Sequence, residues 1–481
     1  MPFSTGTTPR RKKPLGWPDL WFKDKSNSLK HVVFKMQLDS LKSPRIRGAK
    51  TLALDSPLGH VDLTSLLSDE LLLRIFSKLS QSQWNANSLV CKRWFALSGW
   101  LRSSIKLLDW SFLESGRLVS RFPNLTDVDL ASSCLESPKN CGIVLSHSFL
   151  SVHIDPDFSD GGFISEEVLL PSDMIDEGLK ILARGCPNLR RLALIAATET
   201  GLSSVAALCP TLQELELHRC TDSSLRALAA CENLQILRVI GCIDGFYDSV
   251  VSDIGLTILA HGCRRLVKLE LIGCEGSYAG ISAIGKCCPM LEELTICNHR
   301  MDAGWLAALP FCGNLKTLRV QRCRKIDNDP GPLEHLGSCP TLEKLQLQMC
   351  HLRDKEILYA LFMMCEAVKE IELQDCWGLD NEMFSAASIC RRVKSLSLQG
   401  CSLLTAEGLE SVVLSWKELQ RLRVVSCKSM KDTEVAPALS SLFSVLKEFK
   451  WQLDSRAVLA SSLAGTGIGS RGGRFFKRAG L

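Results

Sequence analysis

Residues 209–220 read CPTLQELELHRC. Leu212, Leu215 and Leu217 are spaced L-x-x-L-x-L, the alternation of a strand buried on one side, and a cysteine stands at either end. The chain has 22 cysteines in 481 residues, so the role of these two thiols bears on the whole molecule. They are metal ligands, a disulfide, or packing. The same apolar spacing opens at Leu125, Leu189, Leu212, Leu234, Leu266, Leu291, Leu315, Leu342, Val368, Val393, Leu419 and Leu446. Cys186, Cys209, Cys231, Cys263, Cys288, Cys312, Cys339, Cys365 and Cys390 each lie three residues before such an opening. Cys220, Cys242, Cys274, Cys323, Cys350, Cys376, Cys401 and Cys427 each lie eight residues after one, where Ala197 and His299 stand in two other repeats.

Metal ligands must converge, commonly through C-x-x-C pairs, and the sequence has none. No metal and no cofactor is expected. Stacked strands lie about 4.8 Å apart, a spacing that a disulfide tolerates, so compartment decides. The opening MPFSTGTTPRRKKPLGW lacks the apolar run of a secretory signal, and no stretch is apolar for long enough to span a bilayer. A reducing, nuclear or cytoplasmic setting is expected, where thiols persist as small buried hydrophobes. One cysteine then ends each helix and the other fills the turn after each strand. His299, with no partner at ligand spacing, reads as a turn residue.

Between the strand segments lie DEGLKILARGC, DIGLTILAHGC, DKEILYALFMMC and AEGLESVVLSW, with apolar residues at helical spacing that cannot bury their faces alone. The period is about 26 residues, within the leucine-rich-repeat range. Stacked units bury a continuous core. Helices are about 10 Å thick and strands about 4.8 Å apart, so the stack curves with its strands inside. The fold class expected is α/β: an N-terminal all-α segment, then a horseshoe with a parallel sheet on its concave face. An apolar fraction of 46% supports a large core, filled mainly by aliphatic residues and cysteine because aromatics are 6%. A net charge of +5, from 57 basic and 52 acidic residues, is too balanced for a nucleic-acid-coating protein. Neither a membrane nor a nucleic-acid partner is expected.

The pattern C-x-x-L-x-x-L-x-L-x-x-C resembles the cysteine-containing class of leucine-rich repeats, found in ribonuclease-inhibitor-like horseshoes. The resemblance covers residues 111–454, about 12 repeats, with an insertion at 131–175. A second insertion carries DGFYDSVV, and loops of such arrays emerge at sheet edges, where partners bind. Phe246 and Tyr247 in it are expected near Tyr278, one repeat later.

Before the repeats, residues 63–110 do not repeat. Ser68 can cap a helix whose first turn carries Asp69 and Glu70 and which has Arg74 further on, favourable against its dipole. Leu67, Leu71, Leu72, Ile75, Phe76 and Leu79 cover more of that helix than so short a segment can bury, so part is expected as a docking surface. A plain cap for the solenoid is the alternative. The run LLSDELLLRIFSKL, with SLVCKRW at 88–94, resembles an F-box. The usual Leu-Pro opening is absent; Ser68 stands at the proline position. The resemblance implies binding of the SKP-type adaptor of a cullin–RING ubiquitin ligase. Leu67, Leu71, Ile75, Phe76, Leu79, Val90 and Trp94 would then form the core and the adaptor face. An F-box followed by cysteine-type repeats is the layout of plant-type F-box/leucine-rich-repeat proteins, hormone receptors among them. That layout implies a non-catalytic receptor holding a target protein for ubiquitination. Two alternatives stand beside it: a ligand-gated co-receptor with a pocket under the 242–256 loop, and a horseshoe inhibitor or GTPase regulator with no ligase role. No phosphate-cradling loop, Gly-x-Ser-x-Gly elbow or nucleophile pair points to an enzyme.

Residues 1–60 form an extension, the F-box 61–110, and 455–481 a Gly/Arg-rich tail expected to be disordered. PRRKKP reads either as a nuclear-import signal or as a solvated basic run. On each strand, residues two, four and six after the opening apolar position face the concave side. At the fourth, Glu216, Arg238 and Glu270 alternate in sign and are expected to neutralise one another, whereas Arg319, between Thr295 and Gln346, has no charged partner at that level. At the sixth, Ile240 and Ile272 give way to Gln321, Gln348, Gln374 and Gln399. Arg319 with Ile240, Ile272, Gln321, Gln348, Gln374, Phe246 and Tyr247 is the target-binding set expected.

Overall fold

A computed structural model describes residues 63–135, 169–241, 250–331, 336–431 and 435–452. Met1–Leu66 forms one compact unit, described only in its last turn, Leu63–Leu66, and Leu67–Leu481 forms the other. The larger unit opens with three helices: α1 (Asp69–Phe76), α2 (Gln81–Asn87) and α3 (Lys92–Trp100). Ser68 caps α1 by accepting from the Leu71 N–H, Asp69 and Glu70 lie in its first turn and Arg74 in its last, as the sequence implied.

Among the described residues the repeats form a 13-stranded parallel sheet in strict chain order. Its strands are β1 (Ser104–Lys106), β2 (Asp127–Asp129), β3 (Arg191–Ile195), β4 (Glu214–His218), β5 (Ile236–Ile240), β6 (Lys268–Ile272) and β7 (Glu293–Cys297). They continue with β8 (Thr317–Gln321), β9 (Lys344–Gln348), β10 (Glu370–Gln374), β11 (Ser395–Gln399), β12 (Arg421–Val425) and β13 (Glu448–Gln452). β1 precedes the first opening recognised in the sequence. Ile105, Leu107 and Trp110 belong to the solenoid core, so the end of the 61–110 segment is already part of the sheet.

Alternation sets which residues are buried: Leu345, Leu347, Ile371, Leu373, Leu396 and Leu398 point into the core, while their neighbours on the other face are half-buried. After seven of the strands the chain turns at a left-handed residue: Ala196, Arg219, Asn298, Arg322, Met349, Asp375 and Ser426 all have φ of 45–56°. Such a turn is strained for a side chain. It recurs because the N–H there reaches the next strand, as Met349 N–H does to the Gln374 carbonyl at 2.8 Å. Helix starts are tied across repeats as well. Asp222 accepts from the cap hydroxyl of Ser252 at 2.6 Å, and Asp253 from that of Ser277 at 2.6 Å.

The thiols fall where the repeat spacing put them. Described cysteines of both rows are buried and unbridged; Cys242 lies outside the described residues. Many of these thiols donate to a backbone carbonyl: Cys263 to Leu228 at 3.2 Å, Cys350 to Val320 at 3.3 Å, Cys376 to Leu347 at 3.4 Å. That use of a small apolar donor explains why cysteine rather than alanine fills these sites. Burial pushes Cys312, Cys339 and Cys390 up to about 12. His299 is the turn residue expected. Its Nδ1 accepts from the Met301 N–H at 3.2 Å, Nε2 donates to the Ile326 carbonyl at 3.0 Å, and burial lowers its pKa. No cluster among the described residues has the composition of a metal site. No described helix is long and apolar enough to cross a membrane.

Candidate functional site

The helical domain divides the residues singled out in the sequence into two groups. Leu72, Phe76 and Leu97 make its core, with Leu67, Leu79 and Trp94 packed around them. Phe76 is 2% exposed and its ring lies 4.7 Å from that of Trp94. Phe76 therefore falls on the core side of the set that the resemblance gave to core and adaptor face together: a helix of so few turns turns one apolar stripe inward, and Phe76 shares that stripe with Leu72. The other group faces outward. Leu71 is 50% exposed and Ile75 47%, one helical turn apart on α1, and Leu89 and Val90, in the turn between α2 and α3, are 79% and 60% exposed. Arg93 clamps α3 to the start of α1, donating to Asp69 at 2.7 Å and to the Leu67 carbonyl at 2.5 Å. The domain thus has a complete small core and an uncovered set of aliphatic side chains.

Behind it, α3 is seated directly on the first repeat, which carries α4 (Ser111–Glu114) and α5 (Arg117–Arg121). A Cβ on Gly99 would lie 2.2 Å from the Arg121 carbonyl oxygen, so only glycine allows this approach. Asn124 donates to the Trp100 carbonyl at 2.8 Å, and the Arg121 guanidinium lies 3.2 Å from the centre of the Phe95 ring.

On the concave face, register pairs Ile240 with Ile272, Ile272 with Cys297, Cys297 with Gln321, and then Gln348, Gln374 and Gln399 in turn. The apolar row does give way to an amide row. Ile240 is buried, and Ile272 and the glutamines are half-buried. Phe246 and Tyr247 lie outside the described residues, as does most of the 242–256 loop on which the co-receptor alternative turns. Tyr278 packs edge-on against Phe311 at 6.1 Å.

Charges on this face form a belt. Glu216 takes His218 and Arg238, each at 2.8 Å, and Arg238 also reaches Glu270 at 2.5 Å. That is the ladder expected at the fourth position. Lys268 then joins Glu270 at 2.9 Å to Glu293 at 3.7 Å, and Glu293 meets Arg319 at 2.8 Å. Arg319 donates onward to Gln346, and Gln346 to Glu372. Lys344 bridges Glu372 at 2.7 Å and Glu370 at 3.5 Å, and Glu370 takes Arg421 at 2.7 Å. Arg319 is therefore compensated, contrary to the sequence reading. Its partner Glu293 sits at the second position of the neighbouring strand, diagonal to Arg319, and a long guanidinium spans that offset.

Comparison with known proteins bears on the helical domain first. A family profile described as F-box-like matches residues 69–102, the span of α1 to α3. F-box protein MAX2 homolog A of Petunia hybrida is 25% identical over 227 residues, which is 42% of this chain and 28% of that relative's length. Among solved structures, an internalin of Listeria monocytogenes aligns at 15% identity with a TM-score of 0.39, over 69% of this chain and 81% of its own. The chain thus carries an F-box-like domain, residues 69–102, joined to a 13-stranded parallel sheet built on a leucine-rich-repeat spacing.

Proposed function

We propose that the chain is the substrate-recognition subunit of an SKP–cullin–F-box ubiquitin ligase, acting in the nucleus or cytoplasm. Leu71, Ile75, Leu89 and Val90 dock the SKP-type adaptor, and the concave face of the solenoid holds the target. The chain does no chemistry of its own in this reading: it fixes a target close to the ubiquitin-loaded enzyme, and proximity lowers the barrier. The observation that carries the proposal is the uncovered aliphatic set on an F-box-like domain whose core is already complete. A scaffold without a ligase role would have this helix covered, whereas Leu71 and Ile75 are half exposed.

Affinity purification with the proteasome blocked tests the reading. Wild type should bring down adaptor, cullin and ubiquitin-modified target together. A Leu71→Glu/Val90→Glu variant should lose adaptor and cullin while keeping the target. A variant that still co-purifies with cullin would overturn the proposal.

A further inference from the structure

The belt of ion pairs ends one strand short of the last. Among the described strand residues of the concave face, Lys106, Arg191, Arg238, Lys268, Arg319, Lys344 and Arg421 each have an acidic partner. Arg423 and Lys450 have none. They are register partners on β12 and β13, both exposed, so two like-charged side chains leave adjacent strands about 4.8 Å apart. Such pairs are unfavourable in the absence of a counter-charge. Glu448, diagonal to Arg423 on β13, and Glu370 and Glu372 of β10 line the same part of the face, but none forms an ion pair with Arg423 or Lys450: Glu370 holds Arg421 and Lys344, and Glu372 holds Lys344. Ser395 and Ser397 of β11 line the same open depression of about 440 Å³ and add two hydroxyls beside the cations.

We propose that Arg423 and Lys450 hold a single oxyanion, a phosphate or carboxylate, carried by an extended segment of the target. This rests on the target-receptor reading above. A peptide fits better than a nucleic acid because the other strand cations of the face are neutralised, which leaves charge for one anion and not for a run of phosphates. It also fits the amide row, since Gln399 on β11 is one strand from Arg423 and Gln321, Gln348 and Gln374 continue it. Side-chain amides both donate and accept, as pairing with a peptide backbone requires. A guanidinium on one side and an ammonium on the other give charge-assisted bonds to the anion.

The test uses the full chain co-purified with its adaptor and a random-sequence peptide library whose central residue is fixed as phosphoserine, glutamate or serine. Wild type should enrich an anionic arm over the serine arm by about tenfold or more. Arg423→Gln and Lys450→Gln should each abolish the enrichment, and Lys417→Gln, an exposed lysine off this face, should keep it. Enrichment of phosphoserine alone identifies phosphate as the source; equal enrichment of glutamate identifies a carboxylate. Adaptor retained in every variant separates failure here from failure of the ligase reading, and unchanged melting excludes unfolding. No preference for either anionic arm, or a preference that survives both substitutions, overturns the proposal. So does a labelled oligouridylate that binds more tightly than any peptide and is lost in the same variants.

Discussion

Replacing Gly99 by alanine should loosen the F-box from the solenoid while leaving each folded. The new Cβ would lie 2.2 Å from the Arg121 carbonyl oxygen, more than 1 Å inside ordinary contact, and that neighbour is backbone. Overpacking of this kind costs about 1–3 kcal/mol. If α3 lifts to relieve it, the 2.8 Å bond from Asn124 to the Trp100 carbonyl and the Arg121–Phe95 contact weaken too, roughly another 1–2 kcal/mol. Alanine's better helix propensity returns about 1 kcal/mol. The balance is about 1–4 kcal/mol. Hydrogen exchange reads it directly: amides of α3 should exchange about tenfold faster or more. Gly313→Ala is the control, since a Cβ there meets nothing within 4 Å. Unchanged α3 exchange in Gly99→Ala would refute the close-approach argument.

Arg319→Glu should destabilise the solenoid by ~1 kcal/mol in urea titrations, because the belt then carries an acid between Glu293 and Gln346; the pair is partly solvated, which keeps the figure small. Burial holds many thiols near 12, above their unfolded value of about 8.5, so the unfolded chain loses protons first and stability should fall as pH rises from about 8.5 towards 12. A thiol-reactive probe at pH 8 should label exposed Cys91 quickly and Cys339 only after denaturation, and a chelator should leave the melting temperature unchanged. Asp129, buried beside Lys106, is pushed up to about 6, so its stabilising contribution is present below about 4 and lost as pH rises through 6. Asp129→Asn should therefore be neutral or stabilising at pH 7, provided Asn keeps the bond from the Ala131 N–H at 3.1 Å.

The repeat was legible because its signal is local and periodic. Leu189, Leu212 and Leu234 announce strands by spacing alone, and the cysteine rows mark helix ends and turns at fixed offsets. β1 was missed because its strand, Ser104–Lys106, has one buried residue, too short for alternation to show. Which of the apolar residues of α1 form the core and which face outward was not legible, because they cover most of the helix and only packing, such as that of Phe76 against Trp94, decides which turn inward. The misreading of Arg319 has the same origin. Comparing residues at one level of adjacent strands overlooks diagonal partners such as Glu293.

Titration calorimetry of the full chain with a purified SKP-type adaptor tests the central claim most directly. Interface anchors of this kind cost about 2 kcal/mol or more on truncation, so Leu71→Ala and Ile75→Ala should each weaken binding about thirtyfold. Leu414→Ala, an equally exposed leucine on the solenoid, should leave binding unchanged. Wild type that gives no binding heat, or Leu71 and Ile75 variants that bind as wild type does, would contradict the assignment of this helical face as the ligase-docking surface.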